Sequence, residues 1–166
     1  MLFPRGDDEG STIYEISINK TGTFAFQNII DYMADHDELG RLVMKALQKS
    51  IFNGTTENVI LQLIKENKGT HIIQRIMKTF SMYDSFFIIS DSIRELWEPI
   101  YSILLTNCYM IAMDRNGSMV LRLCYDLVTL SKKQAIAQDI INHSLELAVD
   151  PVGNYVVQHI LSIPKR

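Results

Sequence analysis

Four times in this chain a glycine is followed by a small polar residue, a side chain that is flat or flexible, two apolar residues, and then a glutamine or arginine. The sets are Thr23, Phe24 and Gln27; Thr70, His71 and Gln74; Ser118, Met119 and Arg122; and Asn154, Tyr155 and Gln158. In a helix the first and fifth residues after the glycine lie one turn apart on one face. Two polar side chains there can grip one planar polar edge, such as that of a nucleobase. The second residue projects beside them, where a flat side chain can stack between adjacent bases. The two amides of the fourth set offer donors and acceptors together, which suits the mixed edge of uracil. Arginine only donates, and cytosine offers two adjacent acceptors on its pairing edge. The two Thr–Gln sets do not choose between adenine and uracil.

No catalytic pattern competes with this one. GxxxxGK, GxSxG, HExxH and GxGxxG are all missing from the sequence, and no paired carboxylates suggest hydrolysis. The chain is therefore expected not to be an enzyme and to need no cofactor, metal or small-molecule substrate. Asp114 and Asp150 read as residues that cap or end helices. Cys108 and Cys124 stand outside any metal-ligand spacing and are expected to be reduced, buried thiols of an intracellular protein. No apolar run approaches the ~20 residues that span a bilayer, and the first residues do not read as a secretory signal. A cytoplasmic protein without a membrane partner is expected.

The formal net charge of −3 argues against a protein that coats phosphates. Around the four glycines the balance is different. Lys20, Lys68, Arg75, Arg115 and Arg122 stand there against Glu66, Asp114 and Asp150. Such a face favours base stacking over phosphate neutralisation.

The elements that must position these residues follow from the wider pattern. Residues 19–29, 66–76, 114–124 and 150–160 share it, with Gly22, Gly69, Gly117 and Gly153 spaced 47, 48 and 36 residues apart. Recurrence at a few tens of residues signals stacked helical units. Apolar residues make up 47% of the chain, and they recur with helical rather than strand periodicity over 39–51, 56–65, 93–105 and 135–149. An all-α protein is expected. Thr55 or Thr56 is expected to cap the helix of 56–65, and Lys132 and Lys133 to be a solvated helix start. In each unit the glycine is expected to end one helix in a tight turn, with Thr23, Thr70, Ser118 or Asn154 capping the next. Core positions are expected eight and six residues before each glycine (Tyr14 and Ile16; Leu61 and Leu63; Tyr109 and Ile111; Leu145 and Leu147). Further core positions are expected three, four and seven residues after it. The extra residues of the middle units fall at 33–39 and 79–92.

These residues resemble the repeats of the Pumilio (PUF) family. The stretch 150–161 (DPVGNYVVQHIL) is the strongest match, 66–77 is good, and 19–30 and 114–125 are weaker. The resemblance implies a right-handed α-solenoid of about four helical repeats. They would occupy 11–36, 37–82, 83–128 and 129–166, after a flexible lead-in at 1–10. Its inner face would bind single-stranded RNA, one base per repeat. Base-edge contacts would come from Thr23, Gln27, Thr70, Gln74, Ser118, Arg122, Asn154 and Gln158, and stacking from Phe24, His71, Met119 and Tyr155. With RNA antiparallel to the protein, the site would read 5′-UC(A/U)(A/U)-3′. The implied role is post-transcriptional regulation (translation repression or decay) through mRNA 3′ untranslated elements, with a protein effector on the convex face. Two other readings remain. One is a protein-binding scaffold of the armadillo or HEAT type. The other is a degenerate family member that binds structured RNA in ribosome assembly.

Overall fold

The computed structural model describes residues 9–33, 36–48, 58–84 and 91–162, and among them every regular element is a helix. In chain order these are α1 (Glu9–Ile18), α2 (Gly22–Met33), α3 (Asp37–Gln48), α4 (Val59–Lys65), α5 (Gly69–Asp84), α6 (Asp91–Thr106), α7 (Cys108–Met113), α8 (Arg115–Leu127), α9 (Leu130–Asn142), α10 (Ser144–Val149) and α11 (Gly153–Leu161). Parts of the expected lead-in and of the connectors at 33–39 and 79–92 lie outside the described residues.

The short helices are held by burial rather than by length. An isolated seven-residue helix is unstable in water. Yet Val59, Ile60, Leu63 and Ile64 of α4 are all fully buried, each such side chain stabilising the fold by ~1.5–3 kcal/mol. The N-cap of α4 is Asn58, whose Oδ1 accepts from the Ile60 N–H at 2.8 Å. Thr55 and Thr56, the expected caps, lie outside the described residues. On α3, Val43, Met44, Ala46 and Leu47 are buried as the periodicity predicts, but Leu42 is exposed. Helix α6 carries Pro99 in its interior.

The run expected to form one helix over 135–149 is two. Helix α9 ends at Asn142, His143 leaves the helical conformation (φ −113°, ψ 16°), and α10 begins at Ser144. The break lets the His143 ring stack on Tyr109 at 4.6 Å between centroids. Its Nδ1 lies 3.0 Å from the Asp139 carbonyl.

The joints at the four glycines also differ from expectation. The side chain that caps each helix start is not that of the residue after the glycine but that of the polar residue three before it. Asn19 Oδ1 accepts from the Thr21 and Gly22 N–H groups. Glu66 accepts from Lys68 and Gly69, Asp114 from Asn116 and Gly117, and Asp150 from Val152 and Gly153. A carboxylate or amide thus satisfies two orphan donors at each helix start, and the three carboxylates also complement the helix dipole. Gly22, Gly69 and Gly153 open their helices and Gly117 lies in the first turn of α8, none with left-handed backbone. What they supply is room: a Cβ on Gly69 would stand 2.7 Å from the Leu63 carbonyl oxygen, and one on Gly22 2.6 Å from that of Ile16.

Helices group in threes along the chain after an opening pair: α1–α2, α3–α5, α6–α8 and α9–α11. Helices α2, α5, α8 and α11 pack in sequence side by side, and α3, α6 and α9 form a row elsewhere in the molecule. The core runs unbroken through all four units, from Phe26 and Ile30 through Ile72, Ile76, Val120 and Leu121 to Val156 and Ile160. Continuity of this kind makes each unit's stability depend on its neighbours. Cys108 and Cys124 are free and buried within it. Burial pushes the Cys124 thiol up to about 12, and the Cys108 thiol is raised further, by burial first and then by Asp139.

Candidate nucleic-acid interface

The four neighbouring helices α2, α5, α8 and α11 carry the four sets in one register, since each set sits at the same distance from its glycine and its cap. The second residues face solvent. Phe24 is 67% exposed, Tyr155 58% and Met119 43%, and His71 is exposed as well. For a phenylalanine beside a core residue (Phe26, buried) this is informative, because folding alone gains nothing from leaving a ring in water. The fifth residues Gln27, Gln74 and Arg122 are half-buried, and Gln158 is exposed. All four retain access to solvent at the helix surface.

The first residues of three sets sit deeper. Thr23, Thr70 and Ser118 are buried. The Thr70 hydroxyl donates to the Asn67 carbonyl at 2.9 Å and that of Ser118 to the Arg115 carbonyl at 3.1 Å. Thr23 Oγ1 is buried with no hydrogen-bond partner. In the fourth set Asn154 is half-buried, donates from Nδ2 to the Asp150 carbonyl at 2.8 Å, and accepts from Gln158 Nε2 at 3.1 Å. That bond orients the Gln158 amide and leaves its oxygen and one N–H for a ligand. Arg122 is steadied similarly: its Nε donates to the Ser118 carbonyl at 3.3 Å, which leaves the terminal amino groups of the fork for other acceptors.

Cross-links between neighbouring wall helices were not read from the sequence. Asp31 on α2 takes a bidentate pair from Arg75 on α5, with Nε to Oδ1 at 2.6 Å and Nη2 to Oδ2 completing it. The Arg75 guanidinium holds the Asp31 carboxyl below its ordinary value. Asp126 on α8 meets His159 on α11 at 2.8 Å. Both pairs join the residue nine after one glycine to the residue six after the next. At the middle junction those positions hold Lys78 and Leu123, and a different tie appears: Asn116 Nδ2 donates to the Lys65 carbonyl at 2.7 Å. The common register of the pairs was a signal available in the sequence.

His159 and His143 are packed and partnered. One other expectation changes. Lys132, expected to be solvated, pairs with Glu98 and lies over the Tyr101 ring at 4.3 Å. Lys133 lies 5.5 Å from the Tyr125 ring centroid.

Known proteins share both the sequence pattern and the fold. The model of the Pumilio-family RNA-binding repeat matches residues 13–45, 107–141 and 143–162. The second unit, whose α5 has the same cap and register, falls largely outside the match. A Pumilio domain-containing protein of Schizosaccharomyces pombe is 32% identical over 148 residues, which are 89% of this chain and 18% of that protein. Pumilio homolog 12 of Arabidopsis thaliana is 28% identical over 91% of this chain and 22% of its own length. Among solved structures, the Puf4 RNA-binding domain bound to the HO endonuclease RNA 3′ UTR recognition sequence superposes with a TM-score of 0.71 at 27% identity. The superposition covers 92% of this chain and 41% of that one. The RNA-binding domain of yeast Puf5p bound to SMX2 RNA gives 0.70 at 25% identity, covering 94% and 39%. The chain thus spans about a quarter or less of these full-length relatives and about two-fifths of the solved domains. With repeat matches over more than half its length and a helical solenoid that superposes on PUF domains, the chain belongs to the Pumilio family of RNA-binding repeat proteins.

Proposed function

We propose that the chain binds single-stranded RNA along the wall formed by α2, α5, α8 and α11, one base to each unit. The observation that carries this reading is the exposure of Phe24, His71, Met119 and Tyr155 at one repeat position, directly beside a polar residue that reaches the surface. Gln27, Gln74, Arg122 and Gln158 grip the base edges, helped in the fourth unit by Asn154. The small buried residues Thr23, Thr70 and Ser118 contribute mainly by letting a base approach the helix closely. RNA running antiparallel to the protein meets uracil at α11 and cytosine at α8, then adenine or uracil at α5 and α2. The 3′ UTR sequence in the Puf4 complex supports a role in post-transcriptional control of mRNA, which we place in the cytoplasm. A protein effector on the opposite face would complete that role.

Each base stacked on an aromatic contributes ~1–3 kcal/mol. Four units with three good stackers therefore give weak binding, in the micromolar range by order of magnitude. The test is fluorescence anisotropy of a labelled UC(A/U)(A/U)-containing single strand at low salt. Tyr155→Ala with Gln158→Ala is expected to weaken binding by about tenfold or more. No binding at high micromolar protein would replace this reading with a protein scaffold. Binding indifferent to base sequence would replace it with recognition of structured RNA.

A further inference from the structure

We propose that Lys20 and Arg115 hold phosphodiester groups of the bound strand, so that the first and third units grip its backbone as well as a base. The assignment rests on the RNA reading above and extends it from the bases to the phosphates. Lys20 and Arg115 each stand two residues before a glycine. Each is also the first residue after its helix cap, since the Thr23 N–H donates to the Asn19 carbonyl at 3.0 Å and the Ser118 N–H to that of Asp114 at 2.8 Å. From there the next residues on the same helical face are four and seven further on. They are Phe24 and Gln27 in the first unit and Met119 and Arg122 in the third. The two cations therefore stand in line with the stacking and base-edge residues, one turn nearer the helix start.

Neither charge serves the fold. Both side chains are exposed, and among the described residues neither has a hydrogen-bond or ion-pair partner. A cation in the first turn also opposes the helix dipole, so each charge costs the free chain stability and gains from an anion brought to it. Two other cations of the wall are committed: Arg75 is paired with Asp31, and Arg122 Nε donates to the Ser118 carbonyl. Two backbone N–H groups at each turn are taken by the caps, so an anion there meets the side chain first. A strand lying on this wall presents one such anion per nucleotide. The second and fourth units have Asn67 and Pro151 at the same position, neither of them charged. Backbone contacts from this position thus fall at alternate units, and at α11 the strand is held through its base alone.

Fluorescence anisotropy of the full 166-residue chain with the labelled UC(A/U)(A/U) strand, repeated from about 50 to about 200 mM salt, tests this. For a single strand each neutralised phosphate contributes about −0.7 to the slope of log K against log salt. Lys20→Gln and Arg115→Gln are each expected to flatten the slope by about 0.7, and together by about 1.4, with base preference unchanged. Their melting temperatures are expected to equal or exceed that of the unaltered chain, which a merely structural role would not give. When the linkages of the strand are replaced by uncharged methylphosphonates, the variants and the unaltered chain are expected to bind alike. Binding with a slope that neither substitution changes overturns this assignment and leaves the base reading standing. So does a shift in base preference, or a variant that still weakens binding of the methylphosphonate strand. No binding by the unaltered chain at low salt overturns the RNA reading and this assignment with it.

Discussion

At the scale of single residues, one position can be tested for chemistry and another for space. Arg122 is the only guanidinium among the four fifth-position residues, and its fork is steadied from below by the Ser118 carbonyl. Replacing it with Gln substitutes a group that both donates and accepts. The base preferred at the α8 unit should then shift from cytosine, read by competition with single-base RNA variants; an unchanged profile removes Arg122 from the interface. Gly69 is a matter of room. Alanine at an unconstrained helical site gains ~0.5–1 kcal/mol over glycine. Here its Cβ meets the Leu63 carbonyl oxygen and Cα at 2.7 and 2.8 Å, backbone atoms that cannot step aside. Overpacking of ~1–3 kcal/mol wins. Gly69→Ala should lower the melting temperature by several degrees, and by more than Gly117→Ala, whose closest contacts are at 3.0 Å. Equal or raised melting temperatures would refute the space argument. The glycine pattern was plain in the sequence and its reason was not, because a turn and a close approach leave the same letter. Two of the four caps, Asp114 and Asp150, were read as residues that cap or end helices, and the other two, Asn19 and Glu66, stand at the same distance before their glycines.

At the scale of helices, periodicity located the elements and tertiary contacts set their ends. Apolar spacing marked 135–149 as one helix, since nothing in the local sequence announces a stop at His143. At that stop the His143 ring meets Tyr109, a ring 34 residues earlier in the chain that only the fold brings within stacking distance. The ties between wall helices went unread, although the shared register of Asp31 with Arg75 and of Asp126 with His159 stood in the sequence. The Asp31–Arg75 pair makes a dated claim on pH. The Asp31 carboxyl is held below its ordinary value of 3.8, first by the hydrogen bond from Arg75. A carboxylate whose folded value is depressed stabilises the fold above its unfolded value, and that contribution is lost as pH falls through the folded one. Both partners are nearly half exposed, so the effect is small. Asp31→Asn should lower stability to urea at neutral pH, and the difference from the unaltered protein should vanish below the ordinary carboxylate range. A difference that persists at pH 2, or is missing at neutral pH, would show that the pair does not couple α2 to α5.

At the scale of the whole molecule, the solenoid was the most legible property. Four copies of one pattern, each apolar at the same two neighbouring positions, can bury those positions only by stacking, and Ile72, Ile73, Val120, Leu121 and Val156 are indeed fully enclosed. The ends were the least legible. Ile16 and Leu145 have the residue types of a core and lie in water, because burial in a stacked array depends on a neighbour that a motif does not contain. The caps at Asn19, Glu66, Asp114 and Asp150 carry one more consequence. They pin the first turn of every wall helix, the turn that carries Phe24, His71, Met119 and Tyr155, before any strand arrives. For the proposed RNA binding, a wall pinned in this way would need little ordering of its own, so the entropy surrendered on association would fall on the nucleic acid, and flexible strands should be discriminated from stiff ones as much by their own ordering as by their letters.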